Sequence, residues 1–190
     1  MSKDVLMIHE VTEEILSLPL ENYILTFDDG LYSQFYYWDE IRRLNTEKIF
    51  FISTGFLRPY RNDKNENLTA VEARKMGEDG DLSGYISVEE ANWMLDRFAK
   101  MGGHGHKHID VRNTKHYRNL PKTSKALKIE KFMIDTERML FRFYHWFNHH
   151  PRIYCFPFNH EEDWMRGILR KYGFKEFYGS ERIPVEELLW

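Results

Sequence analysis

The chain has 190 residues, of which 42% are hydrophobic and 30% charged, a composition that excludes a disordered chain and fits one domain. A net charge of −3 gives no electrostatic reason for binding nucleic acid or an anionic membrane. The single cysteine excludes an internal disulfide. No apolar run approaches the ~20 residues of a membrane span, and no signal peptide pattern opens the chain, so we expect a cytoplasmic protein. The oligomeric state stays open.

Short apolar runs without alternation predict strands buried on both faces of a parallel sheet. The clearest runs are 5–8, 23–27 and 49–52, and weaker ones follow at 153–156 and 174–178. Between them, helical spacing of apolar residues predicts helices. These helices cover 32–44, 87–100, 127–147 and 159–171, the second of them ended by Gly102 and Gly103.

The alternation of strands and helices predicts an α/β fold with a mostly parallel sheet, as a distorted or incomplete (β/α) barrel. We assign residues 1–190 to one domain. The polar, glycine-punctuated stretch at about 58–84 is interpreted as an inserted surface loop with one short helix after Thr69. A basic stretch is expected to be a solvated face; it comprises Lys115, Arg118, Lys122, Lys125 and Lys128.

Polar residues follow four of the strand-like segments. They are His9, the run Asp28-Asp29-Gly30, the histidine cluster that starts at His104, and the run 157–160. Since the carboxyl ends of parallel strands meet at one edge, these residues are predicted to converge there. This edge is the predicted functional site.

Asp28 and Asp29 are adjacent, so their side chains would point to opposite sides of a strand end and do different work. A simpler interpretation is a turn, since Asp-Gly is a common turn dipeptide. The histidines at 104, 106 and 108 indicate a metal site, because two imidazoles and one carboxylate leave open positions on zinc. The alternative there is a solvated loop. Cys155, in an apolar run, is either inert packing or half of a Cys–His nucleophile pair.

Together these features resemble the polysaccharide deacetylase family (carbohydrate esterase family four, the NodB-homology fold). Thr26-Phe27-Asp28-Asp29-Gly30 matches the first family motif letter for letter. His104 and His108 match the two histidines of the second motif. The run 154–159, Tyr-Cys-Phe-Pro-Phe-Asn, resembles a variant of the third motif.

The chain departs from the family pattern at three points. Gly105 occupies the position where the second motif usually has Ser or Thr. Cys155 stands where many members carry an Arg that orients the catalytic Asp. The final motif, a hydrophobic strand ending in His, is missing after His160, but Val5-Leu-Met-Ile-His9 has its shape. This layout resembles the circularly permuted poly-N-acetylglucosamine deacetylase branch.

The resemblance implies a metal-dependent hydrolase that removes acetyl groups from an N-acetylated sugar in a saccharide or glycan precursor. The implied ligands of the divalent metal, with zinc expected, are Asp29, His104 and His108. Asp28 is the implied general base, and the backbone N–H of Phe158 would stabilise the oxyanion. His9 is the candidate acid that protonates the leaving amine.

Three alternatives stay open. The first is a catalytically degenerate carbohydrate-binding module of the same fold, suggested by Gly105 and Cys155. The second is an iron(II) oxygenase, which uses the same two-His, one-carboxylate set but usually on a β-sandwich fold. The third is a hydrolase of the same fold acting on an ester or a non-sugar amide.

Overall fold

The computed structural model describes residues 3–59, 64–112 and 125–189. Within them, parallel strands form one seven-stranded sheet with the order β6-β5-β4-β3-β2-β1-β7. The strands are β1 (Val5–Ile8), β2 (Ile24–Phe27), β3 (Lys48–Ile52), β4 (Lys100–Gly103), β5 (Ile153–Cys155), β6 (Glu176–Tyr178) and β7 (Ile183–Pro184). Lys115, Arg118 and Lys122 of the predicted basic face lie outside the described residues.

The sheet is curled into a half-barrel. Strand β6 lies at one edge and β7 at the other, and residues 179–182 are all that link them. Such a link spans at most about 17 Å. Seven flat strands would hold the edges about 29 Å apart, so a link of this length requires the sheet to curl. The predicted incomplete (β/α) barrel is confirmed.

Helices cover the sheet and complete its core. They are α1 (Glu13–Leu16), α2 (Tyr32–Tyr36), α3 (Trp38–Ile41), α4 (Ala70–Glu78), α5 (Val88–Leu95), α6 (Lys125–Phe147) and α7 (Met165–Lys171). Short 3₁₀ helices lie at Leu20–Asn22, Pro157–Asn159 and Val185–Leu188. Fully buried side chains such as Phe27 and Phe50, whose rings stack at 4.6 Å, build the core. None of the helices in the described ranges has the length and apolar character to cross a membrane.

The prediction of a helix over 87–100 was wrong at its end. Helix α5 begins after the capping box of Ser87 and ends at Leu95, and Gly102 and Gly103 lie in strand β4. A Cβ on Gly102 would lie 2.7 Å from the Phe51 ring, and one on Gly103 would lie 2.6 Å from the sulfur of Met139. The two glycines are therefore needed for close packing between neighbouring elements, and they do not terminate the helix.

Two other helices are shorter than predicted. The helix predicted over 32–44 is broken at Tyr37, whose ψ of 17° lies outside the α-helical region, so it becomes α2 and α3. The helix predicted from residue 159 begins at Met165. Phe158 and Asn159 adopt left-handed conformations, with φ of 58° and 52°, and cannot start an α-helix.

The inserted segment is more than a surface loop. It contains α4, opened by a capping box at Thr69 as the sequence indicated. Beneath this helix lies a small core of its own, made of Leu31, Phe56, Ala73 and Tyr85. Helix α4 is thereby packed over the carboxyl edge of the sheet, where the predicted site lies.

Candidate metal centre and its surroundings

The carboxyl ends of the strands border a cleft of about 400 Å³. The predicted site residues that line it are His9, Asp28, His104, His108 and Phe158. Asp29 is buried beside the cleft and contacts both His104 and His108. The convergence expected from a parallel sheet is thus present.

Asp29, His104 and His108 form a compact buried cluster. The Nε2 atoms of the two histidines lie 3.1 Å apart. Asp29 Oδ1 is 3.4 Å from Nε2 of His104 and 3.2 Å from Nε2 of His108. Asp29 and Gly30 adopt left-handed conformations, with φ of 71° and 79°. The turn that the Asp-Gly pair predicts is therefore real, and it aims the Asp29 side chain at the histidines.

This cluster fits a divalent metal. A tetrahedral zinc ion with bonds of about 2.1 Å needs ligand atoms about 3.4 Å apart, close to the separations seen here. Among the described residues, buried Asp29 Oδ1 has no hydrogen-bond partner, which is unfavourable unless it binds an ion. His104 Nδ1 lies 2.9 Å from the carbonyl oxygen of Cys155. We assign its proton to Nδ1, which leaves the Nε2 lone pair for a metal.

The charges of the cluster also suit a metal. Burial lowers the pKa of His108 to about 3, so its imidazole is neutral near pH 7. Burial by itself would raise the pKa of Asp29, but His108, His104 and Arg74 outweigh burial and hold that pKa well below its usual range. A neutral imidazole beside an ionised carboxylate is the state that metal binding requires.

Asp28 lies beside that cluster, with Oδ2 3.8 Å from Nε2 of His104, and is paired with an arginine that the sequence did not single out. Arg182 donates from Nη1 to Asp28 Oδ1 at 2.7 Å and from Nη2 to Oδ2 at 2.8 Å. Both side chains are buried. Burial alone would raise the pKa of Asp28, but Arg182, followed by His104, lowers it below its ordinary value of 3.8. Asp28 is therefore ionised near pH 7.

Further hydrogen bonds fix Arg182 in place. It donates to Thr26 Oγ1 at 3.0 Å, to Asn159 Oδ1 at 2.6 Å and to the Gly179 carbonyl at 3.2 Å. Arg182 lies on the link between β6 and β7, far along the chain from the third motif. In the family pattern, an arginine at the position of Cys155 orients the catalytic Asp. In this chain Arg182, from another segment, makes the contact with Asp28.

The surroundings of Cys155 favour packing over a role as a nucleophile. The side chain is fully buried, and burial raises the pKa of its thiol well above the usual range, which disfavours the reactive thiolate. Its sulfur lies 3.6 Å from Asp28 Oδ2. The group Asp28, His104 and Cys155 also lies within reach of one ion. It fits a metal less well, because Arg182 already donates hydrogen bonds to both oxygens of Asp28.

The departure at Gly105 is matched by a buried carboxylate on α6. Asp135 accepts hydrogen bonds from the backbone N–H of His106 at 2.7 Å and of Lys107 at 2.9 Å. A Cβ on Gly105 would lie 2.7 Å from Asp135 Oδ2. Asp135 thus holds the loop between the two candidate ligand histidines, and it needs a glycine at this position. The third histidine, His106, contacts Thr54 Oγ1 through Nδ1 at 2.9 Å.

Restoring the hydroxyl residue of the family motif is therefore expected to harm this chain. We expect Gly105→Ser to lower the free energy of unfolding by about 1–3 kcal/mol more than Gly80→Ser does. Both glycines have positive φ, but only Gly105 has atoms within 4 Å of the added Cβ. Chemical denaturation of both variants checks this, and equal losses would contradict the predicted clash with Asp135.

The remaining predicted residues, His9 and Phe158, are held by different kinds of contact. Gln34, which is fully buried, donates from Nε2 to the carbonyl oxygens of His9 at 2.8 Å and Asp28 at 2.6 Å. It thereby fixes the ends of β1 and β2 side by side. The Phe158 ring packs edge-on against His108, with centroids 4.6 Å apart.

A half-barrel of parallel strands with this cleft at its carboxyl edge has the fold of the polysaccharide deacetylases, which confirms the fold that the motifs implied. A de-N-acetylase from Aggregatibacter actinomycetemcomitans is 13% identical, with a TM-score of 0.68 over 96% of this chain and 93% of that one. IcaB from Ammonifex degensii is 16% identical, with a TM-score of 0.65 over 97% and 85%. The BpsB deacetylase domain from Bordetella bronchiseptica is 11% identical, with a TM-score of 0.68 over 94% and 88%.

No protein-family model matches the chain, and no curated protein matches it either. The likeness to solved structures, at 11–16% identity for the three above, establishes the fold. The circularly permuted layout suggested by His9 stays a prediction.

Proposed function

We propose that this protein is a metal-dependent hydrolase that removes the acetyl group from an N-acetylated sugar in a saccharide or glycan precursor. The observation that carries the proposal is the pairing of two sites in one cleft. An ionised Asp28, held by Arg182, lies next to a cluster of Asp29, His104 and His108 whose spacing suits zinc. Solved structures of the same fold include a de-N-acetylase and deacetylases.

Each residue in the cleft has a defined task in this proposal. When bound, a divalent metal supplies Lewis acidity and makes water more acidic. Asp28 takes the proton of the water that attacks the acetamide carbonyl, and the N–H of Phe158 donates to the oxyanion. His9 gives a proton to the nitrogen as the C–N bond breaks, so the products are acetate and a free amino sugar.

The structure weakens the case for a degenerate binding module. That alternative depended on Gly105 and Cys155. Asp135 binds the backbone directly after Gly105, and Arg182 makes the contact with Asp28 that an arginine at position 155 would make. An iron oxygenase is disfavoured because the sheet is parallel and flanked by helices. A hydrolase acting on an ester or a non-sugar amide differs only in substrate, which a panel of acetylated compounds separates.

The metal content of the purified protein tests the proposal without knowledge of the substrate. We expect about one equivalent of zinc per chain, lost in Asp29→Ala because one ligand is removed. Asp96→Ala, at an exposed aspartate after α5, is the matched control and should keep the metal. Absence of zinc from the wild type, even after incubation with excess zinc, would refute the metal-dependent function.

A further inference from the structure

The inserted helix α4 reaches the metal cluster through Arg74. Its Nη2 atom donates to Asp29 Oδ2 at 2.9 Å, and the Arg74 side chain is 26% exposed. The same guanidinium lies over the Phe158 ring, 5.0 Å from its centroid. Arg74 thus contacts both a candidate ligand and the residue proposed to form the oxyanion hole.

The position of Arg74 is built into the packing of α4. The Ala73 side chain beside it is buried in the small core under the helix. At the start of the helix, the N–H of Ala70 donates to Glu10 Oε2 at 3.2 Å, which ties α4 to the end of β1. Because the helix is held from below and at its first turn, the guanidinium is brought to Asp29 at a fixed place.

We propose that Arg74 is a positioning residue for the metal ligand Asp29; this inference rests on the proposed metal site. The two oxygens of the carboxylate have different surroundings. Oδ2 is held by Arg74, whereas Oδ1 faces Nε2 of both histidines and has no hydrogen-bond partner among the described residues. Rotation of the carboxylate would break the bond to Arg74, so the guanidinium keeps Oδ1 directed at the metal position.

Such a partner matters because the Asp29 side chain is buried and Arg74 donates the hydrogen bond that holds its second oxygen. Carboxylate ligands are commonly hydrogen-bonded from outside the metal shell, and loss of that bond lowers metal affinity or activity about 10- to 100-fold. The segment at about 58–84 therefore belongs to the functional site, although the sequence indicates only a surface insertion.

The test compares Arg74→Met, Arg74→Lys and the control Lys75→Met, an exposed cation on the same helix. Affinity for Zn²⁺ is measured by competition with a chelator, and the visible spectrum of the Co²⁺-loaded protein reports the ligand arrangement. We expect Arg74→Met to bind Zn²⁺ at least 10-fold more weakly, with an altered Co²⁺ spectrum. Arg74→Lys should recover part of the affinity, and Lys75→Met should match the wild type.

Thermal unfolding of the metal-free variants separates positioning from a loss of folding. An unchanged melting temperature with weaker Zn²⁺ binding supports the inference. Zn²⁺ binding by a folded Arg74→Met that equals or exceeds that of the wild type overturns it, because Arg74 would then only neutralise Asp29 or compete with the metal. If the wild type itself binds no Zn²⁺, the proposed function fails first.

Discussion

Replacement of Asp28 by Asn is expected to slow acetate release by about 10²- to 10⁴-fold, the range that a general base contributes. An amide cannot accept the proton of the attacking water. Zinc binding should persist, since the proposed ligands Asp29, His104 and His108 are unchanged. Steady-state rates on the acetylated compound that the wild type hydrolyses best, together with metal content, measure both effects.

The control for Asp28→Asn must account for its buried partner. The neutral amide leaves the charge of Arg182 without a counter-ion, so part of any loss of rate reflects a less stable protein. The melting temperature of Asp28→Asn is compared with that of Asp39→Asn, a substitution at an exposed aspartate. The difference shows how much of the loss of rate comes from lower stability. Full activity in a folded, zinc-loaded Asp28→Asn would exclude Asp28 as the base.

Loss of Arg182 is expected to lower the free energy of unfolding more than Gly105→Ser does. Removing one partner from a buried ion pair lowers the free energy of unfolding by about 3–5 kcal/mol, so we expect this range for Arg182→Met. Without the guanidinium, burial dominates and raises the pKa of Asp28. The proposed base would then be protonated over more of the pH range, and the rate should fall as well.

Denaturation at several pH values tests this pair directly. The folded-state pKa of Asp28 lies below its ordinary value of 3.8. The stability from the pair is thus fully present above that ordinary value and is lost as the pH falls through the lowered pKa. The difference in free energy of unfolding between the wild type and Arg182→Met should become smaller in acid. Arg43→Met, at an exposed arginine, should show no such difference. A difference in free energy of unfolding that does not depend on pH would mean that Arg182 acts by packing alone.

Much of the fold could be predicted because the buried strands have short, continuous apolar runs. Strand β1 begins and ends at the predicted residues, and β2 and β3 each differ by one residue. The ends of the helices were harder to predict, since they depend on tertiary packing. Gly102 and Gly103 are an example, because their small size serves contacts with Phe51 and Met139 that no local pattern reveals.

The sequence identified residues of the site that lie in local motifs and missed those that act from a distance. Asp28, Asp29 and His104 stand at strand ends, where parallel topology alone brings them together. Arg182 precedes β7, a strand of two residues with no detectable pattern. Arg74 lies in a polar segment that has the composition of a surface loop. The absence of an arginine from the third motif, at Cys155, was the only indication in the sequence, and it does not show which residue takes its place.

The link between Asp28 and Arg182 joins residues 154 positions apart, and it therefore affects the order of folding. Contacts of such long sequence separation form late, since a large loop must close first. During synthesis, Asp28 leaves the ribosome long before Arg182 does. Until the segment that carries Arg182 docks, Asp28 lacks the two hydrogen bonds that hold its carboxylate in place. The proposed hydrolytic activity is thus expected only after this segment has docked, and chains that have not reached this stage should be inactive even when zinc is added.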